Sequence, residues 1–177
     1  VSVFAKPKAP NIVFILADDQ GWNALSTRMD PNDPGSGSTY YQTPNLAKLA
    51  AEGMRFSQAY SPAPTCSPTR HPLQFGRSPA SLKIFGAAGA ENWDAEDGES
   101  LAHVLKGINP DYVCAHLGKW HVGHGPDELG YDVHDGNAGN STGNKTAPDD
   151  PKLIFSLSRN ANKFMEEQVK AAKPFYL

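Results

Sequence analysis

The sequence predicts an α/β fold in which helices sandwich a largely parallel central sheet. Three observations carry that expectation. Asn11-Ile-Val-Phe-Ile-Leu-Ala17 is a continuous apolar run, rich in β-branched residues and too short for a good helix, which fits a strand buried on both faces. Strand-like and helix-like segments then alternate along the chain, as in a parallel sheet with helical crossovers. Finally, 177 residues that are 39% hydrophobic and 20% charged can bury a sizeable core as one domain.

The elements follow in order. Residues 1–10 read as a leader. Val3-Phe4-Ala5 has small residues where a signal peptidase would cut, and Lys6-Pro-Lys-Ala-Pro10 resembles the start of a mature, exported chain. After the first strand, Asp30 to Thr39 is a Gly/Pro-rich loop. Thr43 is placed to cap a helix with Pro44 at its first position, Leu46, Leu49 and Ala50 on its apolar face, and Gly53 at its end. Arg55 to Tyr60 is expected to be a short strand. Ser100 caps a second helix with Leu101, Val104 and Leu105 inward and Gly107 closing it. A strand near Asp111 to Leu117 follows, with Cys114 as a buried strand residue. Residues 135–151 form a polar loop. Ser158 opens an amphipathic helix carrying Ala161, Phe164, Met165 and Val169, and Lys173-Pro-Phe-Tyr-Leu177 begins another strand. There are no internal repeats.

Composition excludes some functions. The formal charge is −3 and no basic run occurs, so nothing points to a nucleic-acid partner. No apolar stretch approaches a membrane span. Two cysteines make no disulfide framework. Asn140-Ser-Thr142 and Asn144-Lys-Thr146 match the glycosylation sequon, which matters only in a eukaryotic secretory host.

Three short segments carry chemistry. Asp18-Asp19-Gln20-Gly21 stands where the first strand ends, and ligands of open α/β sheets gather at the carboxyl ends of strands. Two adjacent carboxylates read either as a solvated acidic turn or as hard-oxygen ligands for Ca²⁺, with Mg²⁺ second. In the second segment, Cys66-Ser-Pro-Thr-Arg-His-Pro-Leu-Gln-Phe-Gly-Arg77, prolines 62, 64 and 68 deny a helix before residue 67 while Pro68 suits a first helical turn. Cys66 then lies at a helix N-terminus, which favours negative charge. Arg70 there opposes the helix dipole, so helix stability does not explain it. The bland alternative is a structural cysteine in a proline-rich loop. The third segment, Gly118-Lys-Trp-His121, follows a strand end, where Lys119 and His121 either face one crevice or are a surface lysine and a structural histidine. His103, His116, His124 and His134 read as surface or structural groups.

Taken together and in this order, the three segments resemble the type I sulfatase family of the alkaline-phosphatase-like superfamily. Cys66 to Arg70 matches its maturation signature Cys-x-Pro-x-Arg, Gly76-Arg77 the Gly-Arg that follows, and Gly118 to His121 its Gly-Lys-Trp-His segment, with Gly123, Pro126, Gly130-Tyr-Asp132 and Gly136 as the sequel. The resemblance spans nearly all of residues 11–177 but only the N-terminal part of the family's catalytic domain, so the chain is expected to be truncated. It implies that a formylglycine-generating enzyme or an anaerobic maturase oxidises Cys66 to formylglycine, the nucleophile. It also implies a calcium ion held by Asp18, Asp19 and residue 66, with Arg70, Lys119 and His121 catalytic, and hydrolysis of a sulfate ester, with a sulfated glycan as the leading substrate class. Aryl sulfates, or the phosphonate and phosphodiester substrates of the same superfamily, remain alternatives, as does a non-catalytic fragment. The implied location is secreted or periplasmic. Further calcium ligands and a second histidine and lysine come from downstream in the family, so residues 1–177 alone are expected to be nearly inactive. His71 and Pro72 replace small family residues and are expected to shape the substrate mouth.

Overall fold

A computed structural model describes residues 9–86, 99–136 and 147–177. Residues 1–8 of the leader expected at 1–10, the two sequons and most of the expected polar loop lie outside the described residues. The chain divides into a larger unit, Val1–Phe14 with Pro62–Leu177, and a smaller one, Ile15–Ser61. Its helices are α1 (Pro44–Glu52), α2 (Cys66–Phe75), α3 (Leu101–Ile108) and α4 (Ile154–Lys170), and its strands are β1 (Val113–His116), β2 (Val133–His134) and β3 (Phe175–Tyr176).

In the larger unit the three strands form a parallel sheet in the order β2-β1-β3. Ala115 pairs with Val133 and Val113 with Phe175. The apolar run at residues 11–17 joins this ladder through Ile12, which bridges Tyr176 in parallel, and through Phe14, whose N–H donates to the Leu177 carbonyl at 2.7 Å. The pairing stops at Phe14, so the run contributes a short edge rather than the seven-residue strand expected.

Side chains alternate across the sheet with the period of two that a strand imposes. Cys114 and Tyr176 face a cluster containing Phe75, Ala102, Trp120, Leu129 and Tyr131, while Ala115 and Phe175 face Phe164 of α4. Helices therefore cover both faces of β1 and β3. Phe164 meets Phe175 edge-on with ring centroids 5.7 Å apart. The α/β sandwich that the sequence predicts is present.

Ser100 caps α3 as expected: its hydroxyl accepts from the His103 N–H at 3.2 Å and donates to the Leu129 carbonyl. The helix runs past Gly107 to an Asn109 cap, and Ala102 rather than Val104 is its buried residue. Helix α4 begins four residues before Ser158. The Asp150 carboxylate accepts from the N–H groups of Phe155 and Ser156 and so supplies the capping, whereas the Ser158 hydroxyl bonds back to the Ile154 carbonyl.

Within the smaller unit, α1 starts at Pro44 and ends at Gly53 as expected, but its apolar stripe is not inward: Leu46 is 43% and Leu49 62% exposed. Thr43 occupies the cap position without a capping bond, because its hydroxyl accepts from the Ser26 N–H at 2.9 Å. The strand expected at Arg55 to Tyr60 is not formed; the segment pairs with no strand and turns at Ser57 and Gln58.

Candidate active site

Cys66 is the first residue of α2 and Thr65 its cap, so the helix starts where the prolines place it. Pro68 sits in the first turn, where its missing N–H costs nothing. Pro72 lies inside the helix, and its ring removes the bond that would reach the carbonyl four residues back. Gly76 ends the helix at φ 62°, a left-handed conformation suited to glycine, and its N–H reaches the Pro72 carbonyl at 2.8 Å. The Thr69 hydroxyl donates to the Ala63 carbonyl at 2.9 Å, fastening the preceding loop to the first turn.

His71 corrects an expectation. It is fully buried rather than at a substrate mouth, and its Nδ1 lies 2.9 Å from the Ser67 carbonyl and 3.2 Å from the Ser67 hydroxyl, both one turn earlier. Four-residue spacing turns position 71 to the same side of the helix as buried Ser67, and that side is the core.

Strand β1 delivers the partner residues. Beyond His116 the chain turns at Gly118, with φ 94° and its N–H donating to Asp135 Oδ2 at 2.7 Å. The next residue, Lys119, reaches α2 in two ways. Its ammonium lies 3.1 Å from Cys66 Sγ, and its carbonyl accepts from the Arg70 guanidinium. Arg70 is buried, and Cys66 is partly exposed. Residues 66 and 70, together with Lys119 more than forty positions further along the chain, thus form one cluster at a helix N-terminus.

Trp120 is buried and donates through Nε1 to the His124 carbonyl, holding the loop in a tight turn. His121 follows with φ 53°, a left-handed conformation uncommon outside glycine. His116, expected to be surface or structural, is structural: its ring meets Trp120 edge-on at 4.6 Å and Tyr131 at 5.9 Å. Burial, with Arg70 nearby, pushes its pKa down to about 4, so it is neutral at physiological pH. Cys114 is fully buried as expected, and burial pushes its thiol up to about 11.

Asp18 and Asp19 lie in the smaller unit, both exposed, with Asp19 at φ 55°. Their oxygens are the donor type calcium takes, but calcium requires 6–8 of them. Among the described residues no group of three or more His, Cys, Asp or Glu side chains could hold a metal. The pair fits the ion in kind, as part of a ligand set rather than a whole one.

The protein-family model named Sulfatase matches residues 10–177. The chain belongs to the sulfatase family. Among its relatives, N-acetylgalactosamine-6-sulfatase of Mus musculus is 35% identical over 132 residues, which is 68% of this chain and 23% of that protein. Arylsulfatase G of Mus musculus is 36% identical over 144 residues, 76% of this chain and 25% of that protein. Arylsulfatase A of Bos taurus is 33% identical over 135 residues, 75% and 25% respectively. The chain spans about a quarter of the length of the curated relatives it matches. Its small parallel sheet flanked by helices is compatible with a truncated alkaline-phosphatase-like fold. No helix among the described residues is long and apolar enough to cross a membrane.

Proposed function

We propose that this chain is the nucleophile-bearing part of an exported sulfatase that hydrolyses sulfate esters, with a sulfated carbohydrate as the substrate class. The observation that carries the reading is the approach of the Lys119 ammonium to Cys66 Sγ at 3.1 Å, with Arg70 bound to the same lysine's backbone. A cysteine needed only for packing would sit as Cys114 does, buried in a strand. Instead Cys66 occupies a partly open helix N-terminus beside one cation and four residues from another, an environment for an anionic nucleophile and an anionic substrate. N-acetylgalactosamine-6-sulfatases among the relatives support the carbohydrate assignment, and the arylsulfatases keep aryl sulfates as the second substrate class.

In this reading Cys66 is the precursor of formylglycine, made by a formylglycine-generating enzyme or an anaerobic maturase. The hydrated aldehyde supplies a second hydroxyl, so covalently held sulfate is released by elimination instead of remaining as a stable ester. Lys119 binds the sulfate oxygens and offsets the charge that develops on them. Arg70 favours the anionic form of the nucleophile and, through the Lys119 carbonyl, orients the lysine. His121 hydrogen-bonds the hydroxyl at position 66. Asp18 and Asp19 would supply carboxylate ligands to calcium, which contributes Lewis-acid polarisation of a sulfate oxygen. The remaining ligands and the group that protonates the leaving alcohol would come from sequence outside residues 1–177.

The test is turnover by the complete protein containing residues 1–177, co-expressed with a formylglycine-generating enzyme. Hydrolysis of 4-nitrophenyl sulfate and of N-acetylgalactosamine 6-sulfate is measured for wild type, Cys66→Ala and Lys119→Ala. The expected result is turnover in wild type, none in Cys66→Ala, and a loss of about 10²–10³ in kcat for Lys119→Ala, the scale for removing one charge-stabilising donor. Full activity in Cys66→Ala would overturn the proposal.

A further inference from the structure

Cys66, Arg70 and Gln74 are spaced by four residues and form one stripe along α2, each about 6 Å beyond the last at 1.5 Å per residue. All three meet the segment that follows β1. Cys66 meets the Lys119 ammonium, Arg70 the Lys119 carbonyl, and Gln74 Oε1 accepts from the Tyr131 hydroxyl at 2.7 Å. This last bond is enclosed, with Gln74 8% and Tyr131 4% exposed.

A buried glutamine on the core side of a helix demands a partner, and an apolar residue would pack there without one. What the polar pair adds is register. The Tyr131 ring stands edge-on to Trp120 at 5.5 Å, and Trp120 is the neighbour of Lys119. It also packs against Tyr176 of β3 at 6.1 Å. Tyr131 is thus fixed to both the sheet and the lysine loop, and its hydroxyl grips the last turn of α2. At the other end Thr65 makes no side-chain cap and the Thr69 hydroxyl holds the Ala63 carbonyl, while Pro72 deletes a bond within the helix. A hydrogen bond constrains sliding along the helix axis in a way that apolar contact does not.

We propose that Gln74 and Tyr131 are positioning residues that hold α2 in the register at which position 66 faces Lys119. Their catalytic meaning rests on the function proposed above, but the register can be read without turnover. The complete protein is made in a host that lacks formylglycine-forming activity, so that residue 66 stays a cysteine, and is treated with formaldehyde. One formaldehyde condenses with the Cys66 thiol and the Lys119 amine, losing one water and leaving an S–CH₂–N bridge that joins the two tryptic peptides in the mass spectrum. Wild type is expected to form this bridge. Gln74→Met and Tyr131→Phe are each expected to lower its yield about tenfold at a temperature where circular dichroism shows both folded, because each removes the bond between α2 and Tyr131 and releases the register.

A purely stabilising bond would lower the melting temperature and leave the bridge yield of the folded protein unchanged; that result overturns the proposal. If the single variants do not fold, the comparison passes to Gln74→Met/Tyr131→Phe, in which both partners of the Gln74–Tyr131 bond are replaced together. Reduced bridging there supports the positioning role, and bridging at the wild-type level contradicts it. Failure of wild type to hydrolyse any sulfate ester would count against the proposed function while leaving the bridge comparison intact.

Discussion

Replacing Asp132 tests how the strand that delivers Lys119 is held. Asp132 Oδ2 accepts from the Cys114 N–H at 2.8 Å, and its own N–H donates to the Cys114 carbonyl at the same distance. Its other oxygen pairs with the Lys106 ammonium at 2.7 Å, and that ammonium also reaches the Gly130 carbonyl. Asp132→Ala strands the N–H of Cys114, a fully buried residue, at a cost of about 1–3 kcal/mol. The lost ion pair adds little, because the Asp132 side chain is 42% exposed and such pairs are worth about 0–1 kcal/mol. The expected total is about 1–4 kcal/mol. Asp132→Asn keeps a carbonyl oxygen for the amide and loses only the charge, so about 0–1 kcal/mol is expected. Urea unfolding of the complete protein gives both values, and hydrogen exchange at the Cys114 amide should accelerate in the alanine variant alone. Equal losses in the two variants would refute the reasoning, because the charge pair rather than the backbone bond would then carry the stability.

Two further expectations follow from buried groups. His116 has a folded-state pKa depressed to about 4 against an ordinary 6.5, with burial the larger cause and Arg70 and His134 adding to it. As pH falls below 6.5 the unfolded chain takes up the proton first, so stability present above that pH is lost progressively toward pH 4, by up to about 3 kcal/mol. His116→Phe should flatten that part of the urea-midpoint profile, and an unchanged slope would show that other groups set it. In protein with unmodified cysteines, iodoacetamide at pH 8 should label Cys66 and spare Cys114, whose burial holds the thiol up to about 11; peptide mapping that finds Cys114 labelled in the folded state would contradict its placement.

The parts of the molecule legible from sequence were those decided within a few residues. Prolines 64 and 68 locate the start of α2, Ser100 starts α3, and the apolar character around Cys114 marks β1. Residues whose behaviour depends on distant partners were not legible. Leu46 and Leu49 have helical spacing, yet nothing in the smaller unit buries them. Ser158 looks like a cap, but Asp150, eight residues earlier, takes that role through backbone N–H groups the sequence cannot assign. His71 was misread because a bulky residue in place of a small one suggests an open surface, whereas four-residue spacing from Ser67 carries it into the core. Lys119 and Cys66 were joined in advance only by resemblance, since no local rule brings positions that far apart together. Gln74 carries a usable signal in the sequence: the interval of eight from Cys66 puts it on the face of α2 that bears the site.

The chemistry proposed for the site depends on the identity of residue 66 in the protein from its natural source. Trypsin releases it in the peptide from Phe56 to Arg70, and a mass spectrum of that peptide distinguishes a CH₂SH side chain from CHO. The expected spectrum shows the lowered mass of formylglycine, with reactivity toward a hydrazide that the thiol lacks. A peptide carrying only the intact cysteine would contradict the claim that Cys66 is the precursor of the nucleophile.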